Sequence, residues 1–94
     1  MESQLRNNES ASRYEILVDD NVAGYIEYQR DGRVVDLPHT KVDDAYQWQG
    51  LAAKLADFAL EDIRTSGLLV KPTCPYIAKH IERNPDFETI VAAD

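Results

Sequence analysis

Residues 49–70, QGLAAKLADFALEDIRTSGLLV, contain a change of hydrophobic period that constrains how the rest of the chain folds. From Gln49 to Ser66 the apolar residues recur at helical spacing, which predicts a long amphipathic helix. The apolar stripe consists of Leu51, Leu55, Phe58, Ala59 and Ile63. Gly67 stands where a helix C-terminal cap belongs, and the apolar run 68–70 predicts a buried strand parallel to an earlier one. The helix is therefore a crossover between two strands of one sheet.

The residues before this helix predict an antiparallel meander. Tyr14, Ile16 and Val18 alternate with their neighbours as in a strand. A turn signal at 19–21 separates this strand from a second strand over 22–29. Asp31-Gly32 is a hairpin signal that separates the second strand from a third strand over 33–42. Pro38 cannot donate a ladder hydrogen bond, so we expect the third strand to be interrupted there by an edge, a bulge or a splay.

The residues after the crossover predict a second helix. Pro75 suits the first helical position, Cys74 falls at the N-cap, and Asn84-Pro85 ends the helix. The predicted order is β-β-β-α-β-α, and the fold class is α+β, an antiparallel β meander followed by a β-α-β-α unit. Residues 1–12 are polar and lack an apolar period, so we expect a disordered, dispensable lead and one domain over 13–94.

Composition narrows the classes of partner. The chain has 94 residues, a formal charge of −7 and ten scattered basic residues, which argues against nucleic-acid binding through phosphate contacts. The acidic surface either attracts a cationic amine or only maintains solubility. The single cysteine and the two histidines form no metal-binding pattern, and no run suits a signal peptide or a membrane span. We expect a cytoplasmic monomer without a metal or a membrane partner.

The junction between the third strand and the long helix predicts an anion-binding site. Backbone N–H groups at a helix start lack intrahelical partners, and the helix dipole adds partial positive charge. Gly50 and Ala52 are small, and no acid occurs from Gln49 to Ala53. A phosphate can therefore approach the main chain. The alternative is a helix start whose small residues serve close packing alone.

Three stretches in order resemble the very small GCN5-related N-acetyltransferases. They are His39-Thr40-Lys41-Val42, Gln49-Gly50-Leu51-Ala52 and Cys74-Pro75-Tyr76-Ile77-Ala78. In the wider superfamily the pattern is Arg or Gln, two residues, Gly, one residue, then Gly or Ala, and Gln47, Gly50 and Ala52 match it. Trp48 departs from the small family's usual Arg-Gly-Gln-Gly form.

The resemblance implies a reduced acetyltransferase fold with an open acceptor site and acetyl-CoA or coenzyme A as cofactor. The pantetheine arm would lie between the third strand and the 68–71 strand, splayed near Pro38. The cofactor-binding residues that it implies are Leu37, Pro38, Thr40, Gln47, Gln49, Gly50, Leu51, Ala52 and Ala53.

His39 and Cys74 are the candidate catalytic residues. A thiol at a helix N-terminus has its thiolate favoured by the dipole, although a lone cysteine is commonly just a small buried hydrophobe. The resemblance implies that both residues lie near the acetyl end of the cofactor, and we expect them to converge there.

Other side chains have weaker cases. Tyr76 is a candidate acid for the leaving thiolate or a packing residue, and His80 is expected on the surface of the second helix. Asp36 and Glu27 could act as bases through water, but solvated carboxylates on a strand face are commoner.

Two functions follow from the sequence. The first is an N-acetyltransferase that moves an acetyl group from acetyl-CoA to an unidentified amine or protein acceptor by direct attack in a ternary complex. The second is a non-catalytic module on the same fold that binds coenzyme A or a protein.

Overall fold

The computed structural model describes residues 3–46 and 50–93. Within these ranges the chain forms one five-stranded sheet in the order β1-β2-β3-β4-β5. The strands are β1 (Ser3–Asn8), β2 (Arg13–Val18), β3 (Asn21–Asp31), β4 (Val34–Val42) and β5 (Leu69–Lys71). The α-helices are α1 (Leu51–Thr65) and α2 (Pro75–Arg83), and 3-10 turns cover Glu9–Ala11, Asp44–Tyr46 and Pro85–Ile90. The α+β class is confirmed, with α1 as the predicted crossover between the parallel strands β4 and β5.

The predicted disordered lead over 1–12 is wrong where the structure describes it. Strand β1 pairs antiparallel with β2 from Ser3↔Val18 to Asn8↔Arg13. Leu5 packs against the core from one face of β1, and Arg6 and Asn8 bind the buried carboxylate of Glu15 from the other. An edge strand that is held by backbone pairing and polar contacts lacks the alternation of apolar residues from which strands are predicted.

Glu15 is fully buried on β2 and is held by three side chains. Arg6 Nε donates to its carboxylate at 2.6 Å, Asn8 donates at 3.3 Å, and Arg13 Nε also donates. Burial raises the pKa of the Glu15 carboxyl, but the hydrogen bonds from Arg13, Arg6 and Asn8 outweigh burial and leave the pKa below its ordinary value. Glu15 is therefore a charged anchor that ties β1 to the sheet.

Both predicted turns and the interruption at Pro38 are confirmed. Asp19 and Asp20 adopt positive φ of 50° and 68° between β2 and β3. The β3–β4 register shifts between Glu27 and Gln29, because β4 holds one more residue than β3 in that interval. Strands β4 and β5 pair only over 34–36 and 69–71. The two segments therefore separate as β4 passes Pro38.

The core lies between one sheet face and the helices. The predicted stripe on α1 is confirmed, with Leu55, Ala59 and Ile63 fully buried. The Tyr14 ring meets Phe58 edge-on, and its hydroxyl donates to Asp62 of α1 at 2.9 Å. Ile77 and Ile81 bury one face of α2, and Val91 covers the outer side of β5 by a bridge to Val70. No helix in the described part of the chain is long and apolar enough to cross a membrane.

Candidate functional site

A cleft of about 280 Å³ opens where α1 begins. The end of β4, the 44–46 turn and the first turns of α1 and α2 form its walls. The lining residues are Val42, Tyr46, Gly50, Leu51, Ala52, Ala53 and Tyr76. These walls are mainly aliphatic and aromatic, so the cleft suits the apolar part of an elongated ligand.

The start of α1 has the properties of an anion site. Gly50 is the N-cap and has φ 71° and ψ 16°, a left-handed conformation that favours glycine. Apart from its chain neighbours, a Cβ placed on Gly50 would meet no atom of the described residues within 4 Å, so these residues leave the space in front of this backbone open. The first turn of α1 contains no acid, and its N–H groups precede the first intrahelical bonds. The predicted contacts Gln47 and Gln49, and also Trp48, lie outside the described residues.

The predicted cofactor residues on β4 differ in accessibility. Leu37 is fully buried, and its carbonyl accepts a hydrogen bond from the Cys74 N–H at 2.9 Å. Leu37 therefore shapes the strand and presents no free side-chain surface to a ligand. Pro38 and Thr40 are half-buried and lie where β4 has left β5. They are the predicted residues of β4 that a ligand in the splay could touch.

Cys74 caps α2 at this splay. Its side chain is 7% exposed, and its Sγ lies 3.5 Å from Thr40 Oγ1. Burial raises the pKa of the Cys74 thiol, but hydrogen bonds from Thr40 and from the backbone of Ile77 and Tyr76 outweigh burial and hold the pKa below its ordinary value. The thiolate is therefore favoured by groups at the start of α2.

His39 and Cys74 do not converge, which corrects the expectation from sequence. Neighbouring residues on a strand point to opposite faces, and it is Thr40 that contacts Cys74. His39 is exposed on the other face, with its ring centroid 6.3 Å from that of Tyr25. The backbone of β4 therefore separates the two candidates. The β3–β4 register decides which face of β4 carries His39, and composition does not specify that register.

A family model described as GCN5-related N-acetyl-transferase matches residues 13–90. The chain belongs to this family. The match contains β2 to β5, both helices and every residue of the cleft.

Relatives in sequence are proteins called NATD1. The chain is 45% identical over 53 residues to NATD1 of Gallus gallus, an alignment that covers 56% of this chain and 48% of that protein. NATD1 of Danio rerio is 38% identical over 53 residues, with 56% of this chain and 48% of that protein covered. The chain thus matches about half the length of these curated relatives.

Solved structures share the fold. A GCN5-like protein from Staphylococcus aureus, solved by NMR, superposes with a TM-score of 0.72 at 20% identity, over 97% of this chain and 89% of that chain. The ribosomal-protein-S18-alanine N-acetyltransferase of Escherichia coli superposes with a TM-score of 0.64 at 17% identity, over 77% of this chain and 50% of that chain. The reduced GCN5-related acetyltransferase fold is confirmed.

Sequence reasoning placed His80 on the surface, and the structure corrects this. The His80 side chain is only 9% exposed, and its Nε2 lies 2.7 Å from Asp57 Oδ1 of α1. The His80 ring also lies near those of Tyr76 and Phe87. The contact between Tyr76 and His80 could be predicted, because residues four apart lie on the same side of a helix. The contact between Asp57 and His80 could not be predicted from sequence, because it depends on how α1 and α2 pack.

The remaining candidates have ordinary surroundings. Tyr76 is 41% exposed and lines the cleft, and partial burial raises the pKa of its hydroxyl. Asp36 accepts a hydrogen bond from Thr73, and Glu27 is exposed opposite His39 in the β3–β4 ladder. Tyr46 and Val42 complete the cleft, and the sequence analysis assigned neither of them to the site.

Proposed function

We propose that this chain is an N-acetyltransferase that transfers the acetyl group of acetyl-CoA to an amine. The observation that carries the proposal is the acid-free start of α1, with left-handed Gly50, opening into the apolar cleft. The backbone N–H groups of 50–53 would hold the pyrophosphate. Gln47 and Gln49 would add contacts, and Pro38 and Thr40 would border the pantetheine arm.

The residues present fit this cofactor in chemistry. Dipole and N–H groups at the start of α1 suit phosphate, and the walls formed by Val42, Tyr46 and Tyr76 suit an aliphatic arm. Acetyl-CoA supplies an activated thioester when it is bound. The protein's part is to orient that thioester in the β4–β5 splay beside Cys74 and Thr40.

We favour direct attack by the acceptor in a ternary complex. The amine nitrogen forms the C–N bond while the C–S bond breaks, the nitrogen gives up a proton, and the sulfur leaves as thiolate or takes one up. His39 lies on the other face of β4, paired with Glu27, and would take the acceptor's proton only from an amine that reaches the thioester through the splay between β4 and β5. Cys74 would line the thioester end from the other side. With 7% exposure, its thiol offers an acceptor little room to discharge an acetyl-cysteine.

One observation favours a second function. His39 and Cys74 lie on opposite sides of β4, so the described residues do not form a compact acid-base pair. A module that binds coenzyme A without turnover would have no use for such a pair. Acetyl-CoA consumption with a panel of polyamines, amino acids and lysine peptides separates the two. Tight CoA binding with no consumption for any acceptor would support the module.

The binding site is tested by a pair of substitutions at Gly50. Asn and Asp have nearly the same shape and both tolerate positive φ, and no described residue beyond the chain neighbours comes within 4 Å of a Cβ at position 50. Gly50→Asp should weaken CoA binding more than Gly50→Asn, because only Asp places a negative charge beside the phosphates. Charge effects at helix ends reach about 2 kcal/mol, so the difference should be up to about 30-fold.

Isothermal titration calorimetry of the two variants, with melting curves as the folding control, measures this difference. Equal affinities for CoA in folded Gly50→Asp and Gly50→Asn proteins would place the phosphates elsewhere.

A further inference from the structure

His80 forms a connection between the two helices that border the cleft. Its Nε2 lies 2.7 Å from Asp57 Oδ1, and Asp57 follows the cleft residue Ala53 by one turn of α1. The His80 ring stacks on that of Tyr76 with centroids 6.2 Å apart and an interplanar angle of 24°. Tyr76 is the cleft residue of α2. A single side chain thus contacts a residue of α1 near the cleft and the aromatic wall itself.

A second aromatic ring lies beside His80. Phe87, in the 85–90 turn, stacks on it with centroids 6.5 Å apart and an angle of 26°. The Arg64 guanidinium lies 5.9 Å from the Phe87 centroid. The imidazole therefore has two aromatic neighbours and a carboxylate partner, and its side chain is 9% exposed.

Other groups also anchor α2. Ile77 and Ile81 are 0% and 4% exposed and anchor α2 in the core. The Cys74 N–H bond to Leu37 holds its first residue. Stacking on His80 restricts the rotamer of Tyr76, which is 41% exposed.

We propose that His80 is a positioning residue for the cofactor cleft. The bond to Asp57 holds the His80 ring in place, and the stacked His80 ring in turn keeps the Tyr76 ring as a fixed wall of the cleft. This proposal rests on the assignment of the cleft to CoA. A ligand wall that is already ordered costs less to fix on binding, so the consequence is tighter CoA binding.

The test is a double-mutant cycle on CoA affinity, measured by titration calorimetry for the full chain, His80→Ala, Tyr76→Ala and the double variant. His80→Ala should weaken CoA binding by about 3- to 10-fold, the range that aromatic pair energies produce. The loss should vanish in the Tyr76→Ala background, because His80 acts through that ring. Lys79→Ala, an exposed neighbour on α2, is the matched control and should leave affinity unchanged.

Further readouts separate positioning from folding. His80→Gln keeps a donor for Asp57 and His80→Phe keeps a ring for Tyr76, so each should restore part of the affinity. With an acceptor that the protein acetylates, His80→Ala should raise KM for acetyl-CoA and leave kcat within about 2-fold of the wild-type value. NMR signals of the Tyr76 ring should lose their ring-current shift in His80→Ala.

The outcomes are distinct. A wild-type chain that binds no CoA overturns the proposed function and with it this role of His80. Wild-type binding together with unchanged affinity in folded His80→Ala overturns the inference alone. Equal losses from His80→Ala with and without Tyr76 also overturn it, because His80 would then act independently of that ring.

Discussion

At Cys74, burial and hydrogen bonding act in opposite directions on the same thiol. The thiol is 7% exposed, which disfavours its thiolate, yet Thr40 and the start of α2 hold the pKa below its ordinary value. A group whose pKa is lowered by folding stabilises the fold above its unfolded pKa, and that contribution disappears as the pH falls through the folded pKa. The Cys74 thiolate therefore stabilises the fold on the alkaline side of its folded pKa.

Thr40→Val should raise the pKa of Cys74, because valine keeps the shape and removes the hydroxyl 3.5 Å from Sγ. The pH dependence of iodoacetamide alkylation measures the pKa, since burial scales the rate without moving its midpoint. Thr40→Ser is the matched control and should keep the wild-type midpoint. A midpoint that is the same in Thr40→Val and wild type would mean that the backbone N–H groups alone favour the thiolate.

At the scale of elements, β1 contributes more to holding the sheet together than its polar composition suggests. It supplies Arg6 and Asn8 to the fully buried Glu15, and Asn7 accepts a hydrogen bond from Tyr28 of β3 at 2.9 Å. The same strand covers the outer side of β2 over six residue pairs. The strand is thus part of the folded domain, and its loss is not expected to be neutral.

Deleting residues 1–8 should destabilise the protein, because it removes two of the three donors that hold the buried Glu15 carboxylate. Losing a hydrogen bond to a charged group costs about 1.5 kcal/mol or more, which lowers Tm by about 6 °C or more in a domain of this size. Thermal melts of the truncated and intact chains measure this, with Gln4→Ala as an exposed control in the same strand. An unchanged Tm would show that β1 adds nothing to the folded state.

The whole molecule is acidic, with a formal charge of −7, whereas its proposed ligand carries phosphates. The fold measures 37 × 29 × 20 Å, so at 10 mM salt a screening length of about 30 Å exceeds its shortest dimension. The summed field of the surface then opposes an approaching polyanion, while the start of α1 attracts it only at short range.

Salt should therefore speed the association of CoA, in contrast to its effect on ligands steered by a basic surface. Raising the salt from 10 to 150 mM should increase the association rate roughly 3-fold or more, as measured by stopped-flow mixing. Pantetheine lacks the phosphates and should associate at a rate independent of salt. Slower CoA association at higher salt would mean that local positive charge dominates the approach.

The sequence alone predicted the elements that depend on interactions between residues close together in the chain. The period of Leu55, Ala59 and Ile63 specified the buried face of α1, because positions four apart lie on one side of a helix. Asp19-Asp20 specified a turn because these residues accept positive φ. Pro38 indicated the end of regular pairing because its nitrogen has no hydrogen to donate. The family resemblance also came from contiguous motifs.

Only the tertiary structure could decide contacts between residues distant in sequence. Strand β1 is recognisable only from its ladder with β2. Its polar residues bind Glu15 and show no hydrophobic period that would predict a strand. The separation of His39 from Cys74 depends on the β3–β4 register, and a shift of one residue would exchange the two faces of β4. The pairing of His80 with Asp57 depends on the packing of α1 against α2. Backbone preferences and periodicity are local properties of a sequence, whereas register and helix packing are set by the free energy of the whole fold.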